Sequence, residues 1–580
     1  MTDTELLERA RAWRAADPDP STRDELEALL TSGDLEALRA RFSGPLEFGT
    51  AGLRGVLGAG ESRMNRAVVI RTSAGLGRTL LDTVPDAKTR GVVVGYDGRR
   101  GSTEFAHDAA GVFTALGLNV YLAPRCVPTP LVAFAVTHLD ACAGVMVTAS
   151  HNPPEYNGYK VYAHNGAQIV PPMDAEIAAR IAAAEPANEV PRRSLDEAYD
   201  EDLLCDLGPA VFDAYLAGVA GLIPATGPGR ELTIAYTPLH GVGAELTERV
   251  FAEVGFTNLH TVAEQREPDG GFPTVAFPNP EEDGAMDLVL ALAKARGAEL
   301  VLAQDPDADR LAVALPGPEG DGRWVQLTGN EVGVLLGHHA LTTTSGDRLV
   351  MNSVVSSPWL GKVAQALGAR WGETLTGFKW IANQALEQEQ ATGTRFVFGY
   401  EEALGYTVGT LVRDKDGVGA ALAMADLAAG LKAKGQTLLT RLEELARAHG
   451  LWVSGQRSLR FDALVGQAKM AALMDRLRAE APTQLGAFAV VEARDYATGA
   501  VTRADGSTAT LDLPPTNLLV YELEGGHRIL VRPSGTEPKL KIYADVCATL
   551  EPGEAYLRGR ARAHEPLNAL LQAVSEVLGV

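Results

Sequence analysis

The stretch AGVMVTASHNP, residues 143–153, joins an apolar, strand-like run to a polar segment that contains Ser150. A similar apolar run, GVVVGYD, lies at 91–97, and a helix-like segment near 103–116 separates the two. Apolar strands that alternate with helices are typical of an α/β unit with a mainly parallel sheet. The sequence therefore predicts such a unit here, with Ser150 just beyond the end of a strand.

The same alternation recurs twice, from ELTIAYTP to AELVLAQD and from RLVMNSVV to RFVFGYEE. In all three units a strand-like run ends in a polar segment: TASHNP at 148–153, DPDADR at 305–310 and YEEALG at 400–405. Open α/β sheets bind ligands beyond the carboxyl ends of their strands. We therefore expect the three segments to face one shared cleft.

After about residue 452 the pattern changes to α+β, with a helix near 466–480 and hairpin-like strands around Gly525-Gly526. The predicted fold is three similar mixed α/β domains around a central cleft, followed by a smaller α+β domain. Residues 1–43 read as a helical cap on the first domain. The predicted domains are 1–208, 209–328, 329–452 and 453–580.

Charge and cysteine content restrict the partners of the chain. Its 580 residues include 52 Lys and Arg against 74 Asp and Glu, a formal charge of −22, which repels nucleic acid and anionic membranes but allows a small anionic substrate. The four cysteines form no C-x-x-C pair, which favours a reducing compartment over a zinc site or a disulfide framework. The polar N-terminus and the lack of a membrane-length apolar run predict a cytoplasmic protein without a membrane partner.

Ser150 is a candidate nucleophile. Two prolines and the turn pair Asn157-Gly158 follow it, so we expect a rigid, exposed loop. The adjacent His151 suggests a Ser-His hydrolase, but sequence neighbours rarely have the geometry of a catalytic triad, and the G-x-S-x-G motif is absent. Taken alone, the pair is most often an ordinary turn.

Asp305, Asp307 and Asp309 alternate directly after a strand-like run. Three carboxylates so close repel one another unless a cation lies among them, so a hard divalent ion is the natural partner. A calcium loop of the EF-hand type would need Gly and Glu where this chain has Arg310 and Pro316. A solvated acidic turn stays open as the alternative.

Two further segments are candidate ligand-binding loops. In GYEEALG, Glu401 and Glu402 could accept hydrogen bonds from sugar hydroxyls, or could stabilise a helix N-terminus. In RPSGTEPK, residues 532–539, a guanidinium, two hydroxyls and a glycine-permitted turn could hold a phosphate, although a simple tight turn is the alternative.

Together, in this order and across nearly the whole chain, the four segments resemble the α-D-phosphohexomutase superfamily, which includes phosphoglucomutases, phosphomannomutases and phosphopentomutases. TASHNP resembles the phosphoserine loop of that family, DPDADR its magnesium loop, GYEEALG its sugar-binding loop and RPSGTEPK its phosphate-binding loop. Leu239-His240-Gly241 and the segment RDKDG at 413–417 also resemble the family, without an assigned role.

The resemblance implies a site for a small phosphosugar and for Mg²⁺. The implied metal ligands are a phosphate oxygen on Ser150 and the three aspartates. The implied catalytic residues are Ser150, His151, Lys160, Lys379 and Arg54. The implied substrate-binding residues are Arg310, Glu401, Glu402, Arg532, Ser534, Gly535, Thr536 and Lys539.

The implied reaction passes a phosphoryl group through Ser150 and a sugar 1,6-bisphosphate intermediate, which also serves as activator. The adjacent Glu401 and Glu402 resemble the glucose-type signature, so glucose 1-phosphate and glucose 6-phosphate are the first expectation. Ala403 replaces the usual Ser, and YEEALGY resembles the phosphopentomutase branch, so pentose and mannose phosphates stay open. A metal-dependent sugar phosphatase and a noncatalytic sugar-phosphate sensor are the alternatives from other classes. We expect a monomer or a homodimer.

Overall fold

A computed structural model describes residues 1–49, 52–318, 322–461, 466–534 and 539–579. The chain forms two compact units, and each is described by itself. The first unit contains Met1–Leu327 and Leu404–Gly430, and the second contains Thr328–Ala403 and the chain from Leu431 onward.

Three helices open the first unit and confirm the predicted helical cap. They are α1 (Asp3–Ala16), α2 (Pro20–Ser32) and α3 (Leu35–Arg41). The first begins with a capping box, because the Thr2 hydroxyl accepts a hydrogen bond from the Glu5 backbone while the Glu5 carboxylate accepts one from the Thr2 backbone. Leu6, Leu26 and Phe42 pack together as the core of the cap.

The first α/β layer of this unit contains a six-stranded sheet. Its elements are β1 (Leu53–Val56), α4 (Arg66–Thr83), α5 (Ala87–Arg90), β2 (Val92–Tyr96), α6 (Ser102–Ala115), β3 (Val120–Leu122), α7 (Thr129–His138), β4 (Ala143–Val147), β5 (Tyr156–Ala163), α8 (Met173–Ala182), α9 (Leu195–Asp200) and β6 (Leu204–Asp206). The strand order is β1-β5-β4-β2-β3-β6, and the last four strands are parallel. Both β2 and β4 are buried along their whole length, which explains their continuous apolar sequences.

The expected turn at Asn157-Gly158 is wrong, because both residues lie in β5, which runs antiparallel to β1 and β4. Asn157 is buried, and its side-chain amide donates hydrogen bonds to the Arg100 carbonyl and to the Ser102 hydroxyl. A Cβ at Gly158 would lie 2.6 Å from the Thr148 carbonyl oxygen. Gly158 therefore lies where the backbones of β5 and Thr148 approach each other closely. No local sequence pattern marks such an approach.

The second α/β layer contains a five-stranded sheet in the order β11-β10-β9-β7-β8. Its elements are α10 (Pro209–Ala220), β7 (Ile234–Thr237), α11 (Ala244–Glu253), β8 (Leu259–Thr261), a short 3-10 helix (Ala263–Gln265), α12 (Asp287–Arg296), β9 (Leu300–Ala303), β10 (Ala312–Pro316) and β11 (Trp324–Gln326). The strands β9, β7 and β8 are parallel, and β10 returns antiparallel after the DPDADR segment.

The second unit begins with a third α/β layer. Along the chain the elements are α13 (Gly329–Thr343), β12 (Arg348–Ser353), α14 (Trp359–Ala366), β13 (Arg370–Thr374), α15 (Phe378–Thr392) and β14 (Arg395–Glu401), then β15 (Gly405–Val408) and α16 (Gly417–Lys432), and then α17 (Leu438–His449). The strands β13, β12 and β14 are parallel. The strand β15 and nearly all of α16 belong to the first unit.

An antiparallel sheet completes the second unit. Its elements are β16 (Leu451–Arg460), α18 (Gly466–Ala479), β17 (Gln484–Leu485), β18 (Phe488–Asp495), β19 (Ala500–Arg503), β20 (Thr508–Thr510), β21 (Leu519–Leu523), a 3-10 helix (Glu524–Gly526), β22 (Arg528–Pro533), β23 (Lys539–Ala548) and α19 (Tyr556–Leu578). The fully buried Arg528 joins this sheet to the third layer, since it donates to Asp545, Glu373 and the Ser356 carbonyl.

The predicted fold class is confirmed, with mixed or parallel sheets in three α/β layers and a smaller α+β part at the end. The hairpin around Gly525-Gly526 is also confirmed, because β21 and β22 pair antiparallel on either side of it. The domain boundaries at 208, 328 and 452 stay predictions. Among the helices of the described residues, none has both the length and the apolar character that crossing a membrane requires.

Candidate active site

Ser150 follows β4 in a left-handed backbone conformation, with a φ of 52°. A non-glycine residue in this conformation costs on the order of 1–3 kcal/mol, so its surroundings must hold it there. Its N–H donates to the Thr148 hydroxyl at 2.8 Å, and its own hydroxyl donates to Asp305 Oδ2 at 2.7 Å. Ser150 is only 3% exposed, so the expectation of an exposed loop is wrong, because the aspartate segment covers it.

His151 contacts Ser150 although the two residues are neighbours in sequence. Its Nδ1 lies 3.2 Å from the serine Oγ, which is within hydrogen-bond distance, and its ring packs edge-on against Phe277. Burial, with the charges of Arg310 and Arg54, lowers the pKa of His151 well below its ordinary value. The imidazole is therefore neutral near pH 7 and can accept a proton.

The three aspartates lie together at the end of β9. All three are buried, and one carboxylate oxygen from each lies within 4.8 Å of the others. Asp305 Oδ1 accepts the backbone N–H of Arg310 at 3.0 Å. Burial, followed by the charges of Asp307 and Asp309, raises the pKa of Asp305 well above its ordinary value. The cluster thus concentrates negative charge beside the serine hydroxyl.

Two lysines offset part of this charge. Lys160 Nζ lies 2.7 Å from Asp307 Oδ2 and 2.8 Å from Asp309 Oδ2, and Lys415 Nζ also lies 2.8 Å from Asp309 Oδ2. Burial lowers the pKa of Lys160, but Asp307 and Asp309 outweigh it, so the net pKa is raised. Lys160 is therefore an ammonium ion in this site.

The aspartate cluster fits a divalent metal ion. The Oδ1 atoms of Asp307 and Asp309 are buried and have no hydrogen-bond partner among the described residues. A buried carboxylate oxygen without a partner is costly, and coordination to a cation would satisfy it. Oxygen ligands of this kind suit Mg²⁺. The cation that the sequence predicts for DPDADR would therefore be a partner for the Oδ1 atoms of Asp307 and Asp309.

The two predicted arginines of this unit contact the serine loop and the aspartate segment. Arg54 is exposed, and its Nη1 donates to Asn152 Oδ1 at 3.1 Å. Arg310 is mostly buried, and its Nε lies 3.9 Å from Asp305 Oδ2. Both guanidinium groups therefore place positive charge close to Ser150.

Sequence reasoning missed three residues at this site. Arg99 donates to the Ser150 carbonyl at 2.6 Å, the Thr129 hydroxyl donates to Asp307 Oδ2 at 2.7 Å, and Lys415 contacts Asp309. Lys415 was within the RDKDG segment that the resemblance marked without a role. Arg99 lies three residues beyond the end of β2, in YDGRR, and a polar residue just past the carboxyl end of a strand is a candidate for a binding site.

The Leu239-His240-Gly241 segment supports the metal loop rather than contacting the aspartates in the described structure. A Cβ at Gly241 would lie 2.4 Å from the Pro306 Cα, and the Val242 N–H donates to the Pro306 carbonyl at 2.9 Å. The His240 ring pairs instead with the Thr274 hydroxyl at 2.7 Å. Glycine is therefore needed at 241 for close packing.

The second unit holds the predicted sugar-binding pair. Glu401 Oε1 accepts the Gly377 N–H at 2.6 Å, and Glu402 Oε2 accepts the hydroxyls of Ser353 and Ser356 at 3.2 and 3.1 Å. Both glutamates are half-buried. Their carboxylates are therefore held in fixed positions by short polar contacts.

Lys379 lies in the first turn of α15, and its Nζ is 6.0 Å from the centre of the Trp380 ring. Glycine precedes this turn at position 377, where φ is 115°. The backbone N–H of that glycine is also the donor to Glu401. The turn that begins α15 therefore carries Lys379 and also binds the Glu401 carboxylate.

The predicted phosphate-binding segment begins at the end of β22. Arg532 pairs with Lys541 in the sheet, and the Ser534 N–H donates to the Lys539 carbonyl at 2.8 Å. Arg532, Ser534 and Lys539 are half-buried. The predicted residues Gly535 and Thr536 lie outside the described residues.

The structure thus brings one group of predicted residues together within the first unit: Arg54, Ser150, His151, Lys160, Asp305, Asp307, Asp309 and Arg310. The remaining described candidates lie in the second unit: Lys379, Glu401, Glu402, Arg532, Ser534 and Lys539. Within the first unit, the ends of β4 and β9 meet as the alternation of strands and helices predicted.

Comparisons with known proteins identify the family of the chain. Three phosphoglucomutase/phosphomannomutase α/β/α domain models match residues 45–188, 213–317 and 328–448, and the C-terminal domain model of the same family matches 478–551. A Haemophilus influenzae protein named probable phosphomannomutase is 42% identical over 83% of this chain and 93% of its own length. A human protein named phosphopentomutase is 35% identical over 99% of this chain and 96% of its own length.

A solved structure shows the same fold at low sequence identity. The crystal structure of a phosphoglucomutase/phosphomannomutase family protein from Burkholderia thailandensis aligns with a TM-score of 0.66 and 21% identity, over 91% of this chain and 97% of the other. Together, the four domain matches and the two relatives show that the chain belongs to the phosphoglucomutase/phosphomannomutase family, within the α-D-phosphohexomutase superfamily, and that it is a phosphosugar mutase.

Proposed function

We propose that this mutase carries the phosphoryl group on Ser150 while it moves between the 1-position and the terminal hydroxyl of a sugar. The observation that supports this most is the 2.7 Å hydrogen bond from the Ser150 hydroxyl to Asp305, within a buried carboxylate cluster that fits a metal ion. A buried serine at this place can exchange a phosphoryl group with a bound substrate while water is kept out.

Asp305, Asp307 and Asp309 would hold Mg²⁺, together with an oxygen of the phosphate on Ser150. The ion would supply charge stabilisation to the transferring phosphoryl group. Lys160, fixed as an ammonium by two of these aspartates, adds positive charge beside the same group. Arg54, which donates to Asn152, and Arg310, which lies beside Asp305, would contribute further positive charge.

In the forward step, the bond between phosphorus and Ser150 Oγ breaks and a bond from phosphorus to the sugar hydroxyl oxygen forms. The hydroxyl loses its proton, and the serine oxygen regains one. Lys160 is an ammonium ion, so it would give the serine oxygen its proton in this step. His151 is neutral and 3.2 Å from the serine oxygen, so it would take the proton of the attacking hydroxyl, with Lys379 as the other candidate base. The product of this step is a sugar 1,6-bisphosphate.

The bisphosphate must then turn end over end, so that its other phosphate returns to Ser150. Glu401 and Glu402 would accept hydrogen bonds from the sugar hydroxyls. The residues proposed to bind the phosphate that does not react are Arg532, Ser534, Gly535, Thr536 and Lys539. A guanidinium can hold such a phosphate with two parallel hydrogen bonds.

Glucose 1-phosphate is the proposed substrate, with glucose 6-phosphate as product, because the adjacent Glu401 and Glu402 resemble the glucose-type signature. In the structure both carboxylates are held by short contacts, to Gly377 for the first and to two serines for the second. Acceptors held in this way fit one pattern of hydroxyls and are left unpaired by another, which separates substrates by orders of magnitude.

Pentose 1-phosphates are the second candidate substrates. The human relative named phosphopentomutase matches 99% of this chain, and Ala403 departs from the serine of the glucose-type signature. The relative named probable phosphomannomutase keeps mannose 1-phosphate in the comparison.

Two assays test the proposal. Coupled assays should compare glucose, mannose, ribose and deoxyribose 1-phosphates, and a preference for a pentose above about tenfold in kcat/KM would replace glucose without changing the chemistry.

Ser150→Ala should have no measurable mutase turnover, even with glucose 1,6-bisphosphate present. The control Ser62→Ala removes a half-buried hydroxyl of the same unit, which donates to the Gly44 carbonyl and lies 3.2 Å from the Ser43 hydroxyl, and should keep wild-type turnover. Normal turnover in Ser150→Ala would refute the serine carrier.

A further inference from the structure

We propose that Arg99 is a positioning residue that holds the Ser150 loop in its active backbone conformation. This inference rests on the proposed role of Ser150 as phosphoryl carrier. Arg99 lies three residues beyond the end of β2 and is 4% exposed. It does not contact the reacting oxygen in the structure, so its effect must pass through the backbone of the loop.

The guanidinium of Arg99 donates to four backbone carbonyls of one segment. Nη2 donates to the carbonyls of Ser150, at 2.6 Å, and of Asn152. Nη1 donates to the carbonyls of Pro153, at 2.9 Å, and of Tyr156, at 3.2 Å. These four carbonyls converge on one buried cation. Their bonds hold the backbone from the left-handed Ser150 onward to Tyr156.

Asp97 fixes the guanidinium from the opposite side. Its Oδ2 lies 3.4 Å from Arg99 Nε, and both side chains are almost fully buried. Asp97 Oδ1 is itself held, because it accepts the Arg99 N–H at 3.0 Å and the Ser102 hydroxyl at 2.7 Å. The aspartate therefore places a carboxylate beside Nε, while the two terminal nitrogens donate to the loop.

A segment from the second α/β layer covers the face of the guanidinium. The Phe272 ring lies over it, with 4.9 Å from the Arg99 Cζ to the ring centre, and Phe272 is 2% exposed. Gly270 also packs closely here, because a Cβ at that position would lie 2.8 Å from the Arg99 Cα. The guanidinium is thus enclosed by Asp97, Phe272 and the serine loop.

This arrangement uses the shape of arginine as well as its charge. Arginine has five N–H donors in a rigid planar fork, whereas lysine has three donors on one nitrogen. The four carbonyl bonds use both terminal nitrogens, and Nε faces Asp97. A lysine at 99 would keep the positive charge near Asp97 but could not reach all four carbonyls.

Arg99→Lys therefore tests the inference, with Arg100→Lys as the matched control, because Arg100 is adjacent and its side chain is exposed. We expect kcat to fall on the order of 100-fold in Arg99→Lys, since a small misplacement of a reacting group costs about that much. KM for the sugar phosphate should stay within about threefold, because the substrate contacts are untouched. Rapid-quench mass spectrometry with glucose 1,6-bisphosphate should show the same fall in the rate of Ser150 phosphorylation.

A kcat within about threefold of wild type in folded Arg99→Lys would overturn the inference. So would a fall in kcat that only matches a loss of folded protein by circular dichroism. If Arg99→Lys does not fold, Phe272→Leu decides the matter, because it removes the ring and leaves Asp97 and Arg99 in place. A lower kcat at unchanged KM supports the inference in that variant, and an unchanged kcat overturns it.

The same experiment separates this inference from the proposed function. If the wild-type protein and Arg99→Lys are phosphorylated on Ser150 at equal rates, the inference alone is wrong. If glucose 1,6-bisphosphate does not phosphorylate Ser150 in the wild-type protein, the proposed function is wrong and the inference falls with it.

Discussion

Asp416 is a buried acid whose titration should affect the stability of the first unit. Burial raises its pKa to about 6, although it accepts hydrogen bonds from the Gly419 and Val418 backbones and from the Tyr215 hydroxyl. The pKa of an aspartate in the unfolded chain is about 4. The folded state therefore favours the protonated acid, and this contribution to stability is complete below about pH 4 and is lost as the pH rises through 6.

Asp416→Asn should remove this pH dependence, because the amide is neutral at every pH and its oxygen can still accept hydrogen bonds. With a difference of about two pKa units, the free energy of unfolding of Asp416→Asn relative to wild type should rise by about 3 kcal/mol between pH 4 and 7. Urea unfolding at several pH values measures it. The exposed Asp283→Asn serves as control, and parallel pH profiles of wild type and Asp416→Asn would contradict the prediction.

At the residue scale, the sequence identified most of the chemical groups but not their surroundings. Ser150, the aspartates and Lys160 were found from their segments and lie in contact as expected. The burial of Ser150 and the role of Arg99 were missed, because both depend on groups that are distant in sequence. The carbonyls that bind Arg99 lie more than fifty positions away, and no local pattern marks them.

At the scale of elements, β5 is the strand that supports the serine loop. A Cβ at Gly158 would lie 2.6 Å from the Thr148 carbonyl oxygen and 2.7 Å from the Leu53 carbonyl oxygen. Gly158→Ala should therefore lower the free energy of unfolding by about 1–3 kcal/mol, because neither backbone can move freely in a packed sheet. Turnover should fall as well, since the Thr148 hydroxyl accepts the Ser150 N–H.

Gly430→Ala is the matched control for that change. Gly430 lies in α16, and a Cβ there would meet nothing within 4 Å. Alanine is favoured over glycine inside a helix, so this variant should be more stable by about 0.5–1 kcal/mol, with unchanged turnover. Thermal and urea unfolding measure both variants. Equal stability of Gly158→Ala and wild type would show that the strands do not approach as closely as described.

The loop between β9 and β10 should make turnover dependent on a divalent metal. Removal of metal by a chelator should abolish transfer, and added Mg²⁺ should restore it, because the unpaired oxygens of Asp307 and Asp309 fit a cation. Asp307→Asn should lower kcat on the order of 100-fold, while the exposed Asp213→Asn should have no effect. Full turnover in excess chelator, with metal removal verified by elemental analysis, would exclude this role of the loop.

Several strands and helices could be predicted from their apolar periodicity, including β2, β4, α6 and α18. The predictions succeeded because buried strands and amphipathic helices leave a local signal in composition. The Asn157-Gly158 pair was misassigned because a favourable turn dipeptide is also tolerated where two backbones approach closely. The tertiary contact overrode the local preference.

At the scale of the whole molecule, an acidic protein binds an anionic substrate by concentrating positive charge locally. The formal charge is −22, yet Lys160, Lys415, Arg99 and Arg310 all lie around the serine and the aspartates. Net charge therefore excludes extended polyanions without excluding a phosphosugar. From the sequence, an acidic chain with an anionic substrate is expected to cluster basic residues at its binding site. Only the fold shows which basic residues form that cluster.

Transfer of a labelled phosphoryl group tests the central claim most directly. The protein is first phosphorylated on Ser150 with ³²P, from labelled glucose 1,6-bisphosphate, purified, and then mixed with unlabelled glucose 1-phosphate for a single turnover. The account predicts that the label leaves Ser150 and appears in glucose 1,6-bisphosphate and glucose 6-phosphate, at a rate no slower than kcat. Label that stays on the protein while glucose 6-phosphate forms, or that is released as inorganic phosphate, would contradict it.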